Sequence, residues 1–170
     1  LNEKHASIIG ELKLNLPVVN ILLGELENAF NEIKKSKTLT LEVIDLIQSF
    51  GERISVCIVA AYLQSIGINS KPYNAYEVGM ITNSNFGEAE INADTFQEIN
   101  KKIKSMLKEN ANNKSDANKI QYHVPVITGF IGKDKNGKIT TLGRGGSDYS
   151  AAIIGAAIDA DEIQIWTDVS

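Results

Sequence analysis

The end of the sequence alternates between strand-like and helix-like segments, and this alternation limits the folds open to the chain. The apolar run "HVPVITGFIG" ends in a glycine turn. A glycine-rich loop, the helical pattern "SDYSAAIIGAAIDA" and the strand-like "EIQIWTD" follow it. Strands that alternate with helices form layers in which helices cover a mainly parallel sheet. We therefore predict an α/β fold, in a single domain that spans residues 1–170.

Helical patterns dominate the part of the chain before these strands. The first runs over residues 17–37 and opens with Pro17, which suits a first helical turn. The second runs over residues 38–67, with Gly67 as its stop. Because glycine inside a helix costs about 1 kcal/mol relative to alanine, we expect a break or a site near Phe50, Gly51 and Glu52. The apolar positions expected to face the core of the first helix are Val18, Ile21, Leu22, Leu26, Ala29, Phe30 and Ile33.

A third helix is predicted from a capping box and an apolar stripe. In "DTFQEINKKIKSMLKEN", Thr95 and Glu98 have the spacing of a capping box. The polar, Asn-rich stretch over residues 110–119 has no periodicity and is predicted to be an exposed loop. "KDKNGKI" predicts a surface turn at Asn136-Gly137.

Composition excludes several classes of protein. A net charge of -4 argues against binding to duplex nucleic acid, which normally requires a basic face. The single cysteine, Cys57, rules out an internal disulfide and fits a reducing compartment. No apolar stretch approaches the ~18 residues of a membrane span, and no signal peptide is visible. These features predict a cytoplasmic globular protein, with Cys57 and Trp166 in its core.

The glycine-rich loop "LGRGGSD" has the composition of an anion-binding site. Gly145 and Gly146 let the backbone approach a ligand closely, and the helix that begins near Ser147 directs its free N–H groups at an anion. Arg144 can hold a carboxylate or phosphate with two hydrogen bonds, and Asp148 can bind an ammonium group or orient a lysine. The alternative is a turn capped by Ser147 or Asp148, with Arg144 in solvent. The spacing matches neither the P-loop nor the dinucleotide fingerprint.

Three loops are predicted to gather at one edge of the sheet. Parallel sheets bind ligands beyond the C-terminal ends of their strands. "TGFIG" ends one strand, the glycine-rich loop follows another, and Thr167 and Asp168 lie at the end of the strand-like "EIQIWTD". Glu52, in "SFGERIS", is a further candidate, although a surface charge pair at a helix kink explains it as well. His5 and His123 lack the spacing of metal ligands, so no metal site is predicted.

Five motifs in this order resemble the catalytic domain of aspartokinase, a member of the amino acid kinase superfamily. They are "SFGERIS", "ITNSNFGEAEI", "VPVITGFIG", "TTLGRGGSDYSAA" and "IQIWTDVS". The resemblance extends from about residue 40 to the end. It implies a three-layer α/β/α sandwich and the ATP-dependent phosphorylation of the β-carboxylate of L-aspartate. That reaction is the first step towards lysine, threonine and methionine, and ATP would enter with Mg²⁺.

The resemblance also implies roles for individual residues. Glu52 and Arg144 resemble the residues that bind aspartate, and Gly145, Gly146 and Ser147 match the loop at the substrate centre. Asp148 resembles the aspartate that orients the catalytic lysines of the superfamily. Thr167 and Asp168 match the start of the nucleotide-binding segment.

Other segments of this family have no counterpart in the sequence. The family begins with a Lys-Phe-Gly-Gly-Thr-Ser loop, and it continues with a second lysine and regulatory domains of the ACT type. We therefore expect a catalytic domain that is incomplete at both ends, inactive alone, and part of a homo-oligomeric parent enzyme. A non-catalytic fragment that binds aspartate or a partner is an alternative. Another is a superfamily kinase acting on glutamate, acetylglutamate or a nucleotide, which the "FGE" and "GRGGSDYSAA" pair disfavours.

Overall fold

The structure, a computed structural model, describes residues 2–112 and 123–167 of the chain. Five helices and five strands form in this part of it. The helices are α1 (Asn2–Glu11), α2 (Pro17–Ser36), α3 (Leu41–Ser65), α4 (Thr95–Asn112) and α5 (Gly146–Ala157). The strands are β1 (Ser70–Tyr73), β2 (Ile81–Thr82), β3 (Val124–Ile127), β4 (Ile131–Asp134) and β5 (Ile139–Thr141).

The strands form two small sheets. Strands β1 and β3 pair in parallel, with Ser70 opposite Val124. In the second sheet, β4 lies between β2, which is parallel to it, and β5, which is antiparallel. The β4–β5 hairpin turns at the predicted position, where Gly137 has a φ of 80°. The predicted α/β class with mainly parallel pairing is confirmed.

Helices cover both faces of the β1–β3 pair, which gives the layers of a sandwich. Helix α3 packs on one face and is itself covered by α2. Their shared core consists of Val19, Leu22, Leu26, Phe50, Ile54, Cys57 and Ile58. Helices α4 and α5 form the other layer, around a second core of Ala75, Val78, Met80, Ile99, Ile103, Ile153 and Ala157.

Local signals set the ends of α2 and α3. Pro17 is the first residue of α2, as predicted. The side chain of Thr40 caps α3 by accepting a hydrogen bond from the N–H of Val43 at 3.3 Å. Past its C-terminus, Gly67 has a φ of 87° and the N–H of Ile68 returns to the carbonyl of Leu63 at 2.9 Å. This Schellman motif confirms Gly67 as the stop.

Two details of the predicted helices are wrong, and one of the two outcomes expected near Gly51 is absent. Helix α3 runs without a break through Gly51, because the buried Phe50 and Ile54 hold it on both sides of the glycine. The other outcome, a site, remains a prediction. The buried side of α2 is centred on Val19, so that Ile21 is 62% exposed. Thr95 forms no capping box: its hydroxyl donates to the carbonyl of Ile81 at 2.6 Å.

The segment after α5 does not form the predicted strand. Residues 162–167 are irregular, since no strand in the described part of the chain pairs with them. Trp166 is 88% exposed and therefore does not lie in the core, whereas Cys57 is buried as expected. Residues 110–112 of the predicted exposed loop are helical instead, because α4 continues to Asn112. The rest of that loop and Asp168 lie outside the described residues.

Candidate functional site

The candidate site lies at the C-terminal ends of the parallel strands β1 and β3. The N–H of Thr128 donates to the carbonyl of Tyr73 at 3.0 Å, and its buried hydroxyl accepts from the N–H of Ala75 at 2.8 Å. The chain then turns sharply at Phe130, a non-glycine residue with a φ of 65°. Such a backbone conformation is uncommon for a bulky residue and costs of order 1–3 kcal/mol, and strained residues of this kind cluster at functional sites.

The glycine-rich loop packs directly on this turn. The N–H of Leu142 donates to the carbonyl of Phe130 at 2.9 Å. A Cβ added at Gly146 would lie 2.9 Å from the ring of Phe130 and 3.1 Å from the Cβ of Leu142. Only glycine therefore fits at the start of α5, and this close approach fixes the helix against the turn.

Ser150 links the same two segments through its buried hydroxyl. The hydroxyl accepts a hydrogen bond from the N–H of Phe130 at 3.2 Å and donates to the carbonyl of Ser147 at 2.8 Å. Gly129 and Ser147 are also in contact, since a Cβ at Gly129 would lie 3.0 Å from the Cβ of Ser147. Two of the three predicted loops therefore meet.

Glu52 approaches the same turn from α3. Its side chain is half-buried, and its carboxylate accepts a hydrogen bond from the N–H of Gly129. Burial raises the pKa of Glu52 above its ordinary value, and this hydrogen bond partly opposes the rise. Gly129 thus contacts both Glu52 and Ser147, two residues that are 95 positions apart in the sequence.

The polar side chains of the glycine-rich loop are open to solvent. Arg144, Ser147 and Asp148 are exposed. The N-cap of α5 is Gly145, with a φ of 71° and no side-chain cap, so neither Ser147 nor Asp148 caps the helix. A Cβ at Gly145 would meet no atom within 4 Å. The N-terminus of α5 is therefore an open, positively polarised surface suited to an anion.

Arg53, next to Glu52, has a structural partner. Its guanidinium forms an ion pair with Glu25 of α2 at 2.9 Å and lies 4.7 Å from the centre of the Phe50 ring. Its Nε is buried and has no hydrogen-bond partner in the described part of the chain, and the same is true of Oδ1 of Asn74. Both residues line a cleft of about 190 Å³ between α2, α3 and the end of β1.

Asp45 is a buried polar residue that the sequence analysis missed. It lies on α3 and its side chain is fully buried. Its carboxyl group accepts three hydrogen bonds, from Gly87 and from the N–H and hydroxyl of Thr141. One signal was available: Asp45 and Glu52 are seven residues apart, which places them on one face of a helix.

Of the third predicted loop, only Thr167 lies within the described part of the chain. Thr167 is exposed and ends the irregular segment 162–167, which stands in place of the predicted strand. Among residues 2–112 and 123–167, no group of three His, Cys, Asp or Glu side chains could hold a metal ion. Within the same ranges, every helix is too short or too polar to cross a membrane.

Comparison with known proteins identifies a family and several relatives of this chain. A model of the amino acid kinase family matches residues 9–170. Aspartokinase 1 of Arabidopsis thaliana, named as chloroplastic, is 39% identical over 99% of this chain and 28% of its own length. The aspartate kinase of Pseudomonas putida is 36% identical over 74% of this chain and 27% of its own length. The chain thus spans less than a third of these curated relatives.

Solved structures give the same result for the fold. Escherichia coli aspartokinase III, in complex with aspartate and ADP, matches 98% of this chain with a TM-score of 0.71 and 27% identity, over 36% of its own chain. Aspartate kinase of Clostridium acetobutylicum matches 99% with a TM-score of 0.62 and 26% identity, over 31% of its own chain.

Proposed function

Because this chain belongs to the amino acid kinase family, we propose that the protein that contains it is an aspartate kinase. It transfers the γ-phosphoryl group of ATP to the β-carboxylate of L-aspartate, which yields 4-phospho-L-aspartate and ADP. This product is the first intermediate on the route to lysine, threonine and methionine. The observation that supports the proposal most directly is the meeting of Glu52, Gly129 and Ser147 at the C-terminal ends of β1 and β3.

Glu52 and Arg144 divide the recognition of aspartate between them. Glu52 is half-buried and its raised pKa reflects an incompletely solvated carboxylate, which a substrate ammonium group would stabilise in its charged form. Arg144 offers a planar fork that binds a carboxylate with two hydrogen bonds. The open N-terminus of α5 lies between these contacts and the phosphoryl group, and it consists of Gly145, Gly146 and Ser147.

Phosphoryl transfer requires alignment and charge neutralisation more than covalent help from the protein. A β-carboxylate oxygen attacks the γ-phosphorus, the bond to the β-phosphate oxygen breaks, and ADP leaves with that electron pair. The N-terminus of α5 stabilises the negative charge on the transferred group. Asp148 orients a lysine towards this charge, and Thr167 and Asp168 contact the nucleotide.

ATP enters this site as its complex with Mg²⁺. In kinases, Mg²⁺ is held largely by the substrate phosphates, with one or two carboxylates, and it neutralises charge on the β- and γ-oxygens. We assign no metal ligand to the described residues. The open space above Gly145 lets a phosphate approach the backbone N–H groups of α5.

The proposal extends to location and assembly. We place the protein in the cytoplasm, although relatives in Arabidopsis thaliana are named as chloroplastic. We further propose that the whole protein is a homo-oligomer.

The test is ADP formation by the full-length protein. We expect ADP release that requires both L-aspartate and Mg²⁺, together with an acyl phosphate that hydroxylamine converts to aspartyl hydroxamate. Hydroxamate formed from L-glutamate or N-acetylglutamate in place of L-aspartate would identify a different kinase of the family. No hydroxamate from any of these acids would contradict the proposal.

A further inference from the structure

We propose that Asp45 is a positioning residue that sets the distance between Glu52 and the glycine-rich loop. The inference rests on the proposed function, because it concerns the two groups that we assign to aspartate. It starts from the side chain of Asp45, which is fully buried. A buried carboxyl group is costly unless hydrogen bonds satisfy it, and here three of them do.

The three donors come from two segments that are remote in sequence. Oδ2 of Asp45 accepts from the N–H of Gly87 and from the N–H of Thr141, both at 2.9 Å. Oδ1 accepts from the hydroxyl of Thr141, also at 2.9 Å. Asp45 therefore joins the loop that contains Gly87 to the end of β5.

One of these segments leads into the glycine-rich loop, and the other packs against it. Thr141 precedes Arg144 by three residues. Gly143, between them, has a φ of 74°, and a Cβ there would lie 3.3 Å from the carbonyl oxygen of Gly87. The glycine-rich loop thus packs on the two segments that are hydrogen-bonded to Asp45. If either segment shifts, the backbone of Arg144 shifts with it.

Helix α3 carries both ends of this arrangement. Asp45 and Glu52 lie two turns apart on the same helix, which corresponds to about 10 Å along its axis. Asp45 anchors the chain that leads to Arg144, and Glu52 contacts Gly129 directly. Because an unbroken helix is rigid over two turns, the separation of the two aspartate-binding groups is set by α3 once Asp45 is bonded to Thr141.

Two substitutions of Asp45 in the full-length protein test this role. Asp45→Ala removes all three acceptor contacts, and we expect the KM for aspartate to rise by about tenfold to a hundredfold, the scale for a displaced binding group. The KM for ATP should change little. Asp45→Asn keeps one oxygen for both N–H donors, and the hydroxyl of Thr141 can rotate to accept, so its KM should stay within about threefold of wild type. Rescue by asparagine separates positioning from a requirement for charge.

Glu42→Ala is the matched control. Glu42 lies one turn before Asp45 on α3 and reaches the same hairpin through an ion pair with Lys138 at 2.7 Å, but both side chains are largely solvated. The control removes the same charge from the same helix and should leave both KM values unchanged. A KM for aspartate that is unchanged in Asp45→Ala, or raised equally in Glu42→Ala, would overturn the proposal.

Two further measurements keep the outcome decisive. If Asp45→Ala does not fold, Thr141→Val, which removes only the hydroxyl contact, should still raise the KM for aspartate, and no change would overturn the proposal. If the wild-type protein does not phosphorylate aspartate, the proposed function fails, and amide hydrogen exchange decides the positioning role. We expect residues 141–147 to exchange at least about tenfold faster in Asp45→Ala than in wild type. Unchanged protection of these residues would refute the role.

Discussion

Replacing Gly129 by alanine tests whether the contact between the β3 turn and α5 is as tight as the structure indicates. The new Cβ would lie 3.0 Å from the Cβ of Ser147, 3.1 Å from its Cα and 3.1 Å from its hydroxyl oxygen. Carbon atoms at their best separation are about 3.5–4.0 Å apart. Gly129 does not have a positive φ, so the substitution acts through crowding and not through backbone strain.

The surrounding contacts leave little room to relieve the crowding. Ser147 cannot move away by itself, because its carbonyl accepts a hydrogen bond from the hydroxyl of Ser150. That hydroxyl also accepts a hydrogen bond from the N–H of Phe130. Gly146 already touches the ring of Phe130. We therefore expect Gly129→Ala to lower the free energy of unfolding by about 1–3 kcal/mol, the usual cost of overpacking. The displaced Ser147 and N–H of Gly129 should also raise the KM for aspartate.

The assay is urea unfolding of the full-length protein, combined with aspartate kinetics. Gly51→Ala is the control: Gly51 lies within α3, a Cβ there meets nothing within 4 Å, and alanine should stabilise the helix by about 0.5–1 kcal/mol. The double variant Gly129→Ala/Ser147→Gly removes two of the three crowded atoms and should recover part of the lost stability. If Gly129→Ala is as stable as wild type, or if the double variant recovers nothing, the reasoning is refuted.

Three further predictions concern charged residues of the site. Arg144→Ala should raise the KM for aspartate strongly, because the loss of a charge pair costs ~2–5 kcal/mol of binding free energy. Lys138→Ala on the surface is the control and should leave this KM unchanged. If the two variants have equal KM values, Arg144 does not bind aspartate. Because the pKa of Glu52 is raised by burial, its contribution to stability is present below its ordinary value of 4.5 and is lost as pH rises through the raised pKa. Glu52→Gln should flatten this part of the curve of unfolding free energy against pH, and an unaltered curve would contradict the assignment. Asp148→Asn should lower kcat with little change in the KM for ATP, whereas Asp168→Asn should mainly raise the KM for ATP. Steady-state kinetics measure both constants, and the opposite pattern would mean that the two roles are reversed.

The two parts of the candidate site were recognisable in the sequence, but their contact was not. Glu52 and the loop from Arg144 to Asp148 stand out because glycines adjoin charged residues there, and the family resemblance gave them roles. The bond between Glu52 and Gly129 depends on how α3 packs across β3, which no pattern in either segment specifies. Thr167 and Asp168 remain predictions from motif alone.

Features that depend on neighbours within about one helical turn could be predicted from the residues alone. Pro17 begins α2, Gly67 ends α3, and Gly137 turns the β4–β5 hairpin, because a ring-fixed φ and a positive φ are properties of single residues. The class of the fold followed in the same way from the alternation of elements.

Which segments find partners depends on long-range packing, which local patterns do not specify. Residues 162–167 have a strand-like pattern but remain irregular, since a strand needs a neighbour to satisfy its backbone. Asp45 has an ordinary helical position, yet it is buried because Thr141, 96 residues away, supplies two of its donors. The burial of a polar side chain depends on the donors that the fold places around it, and these donors lie far beyond the reach of any local pattern.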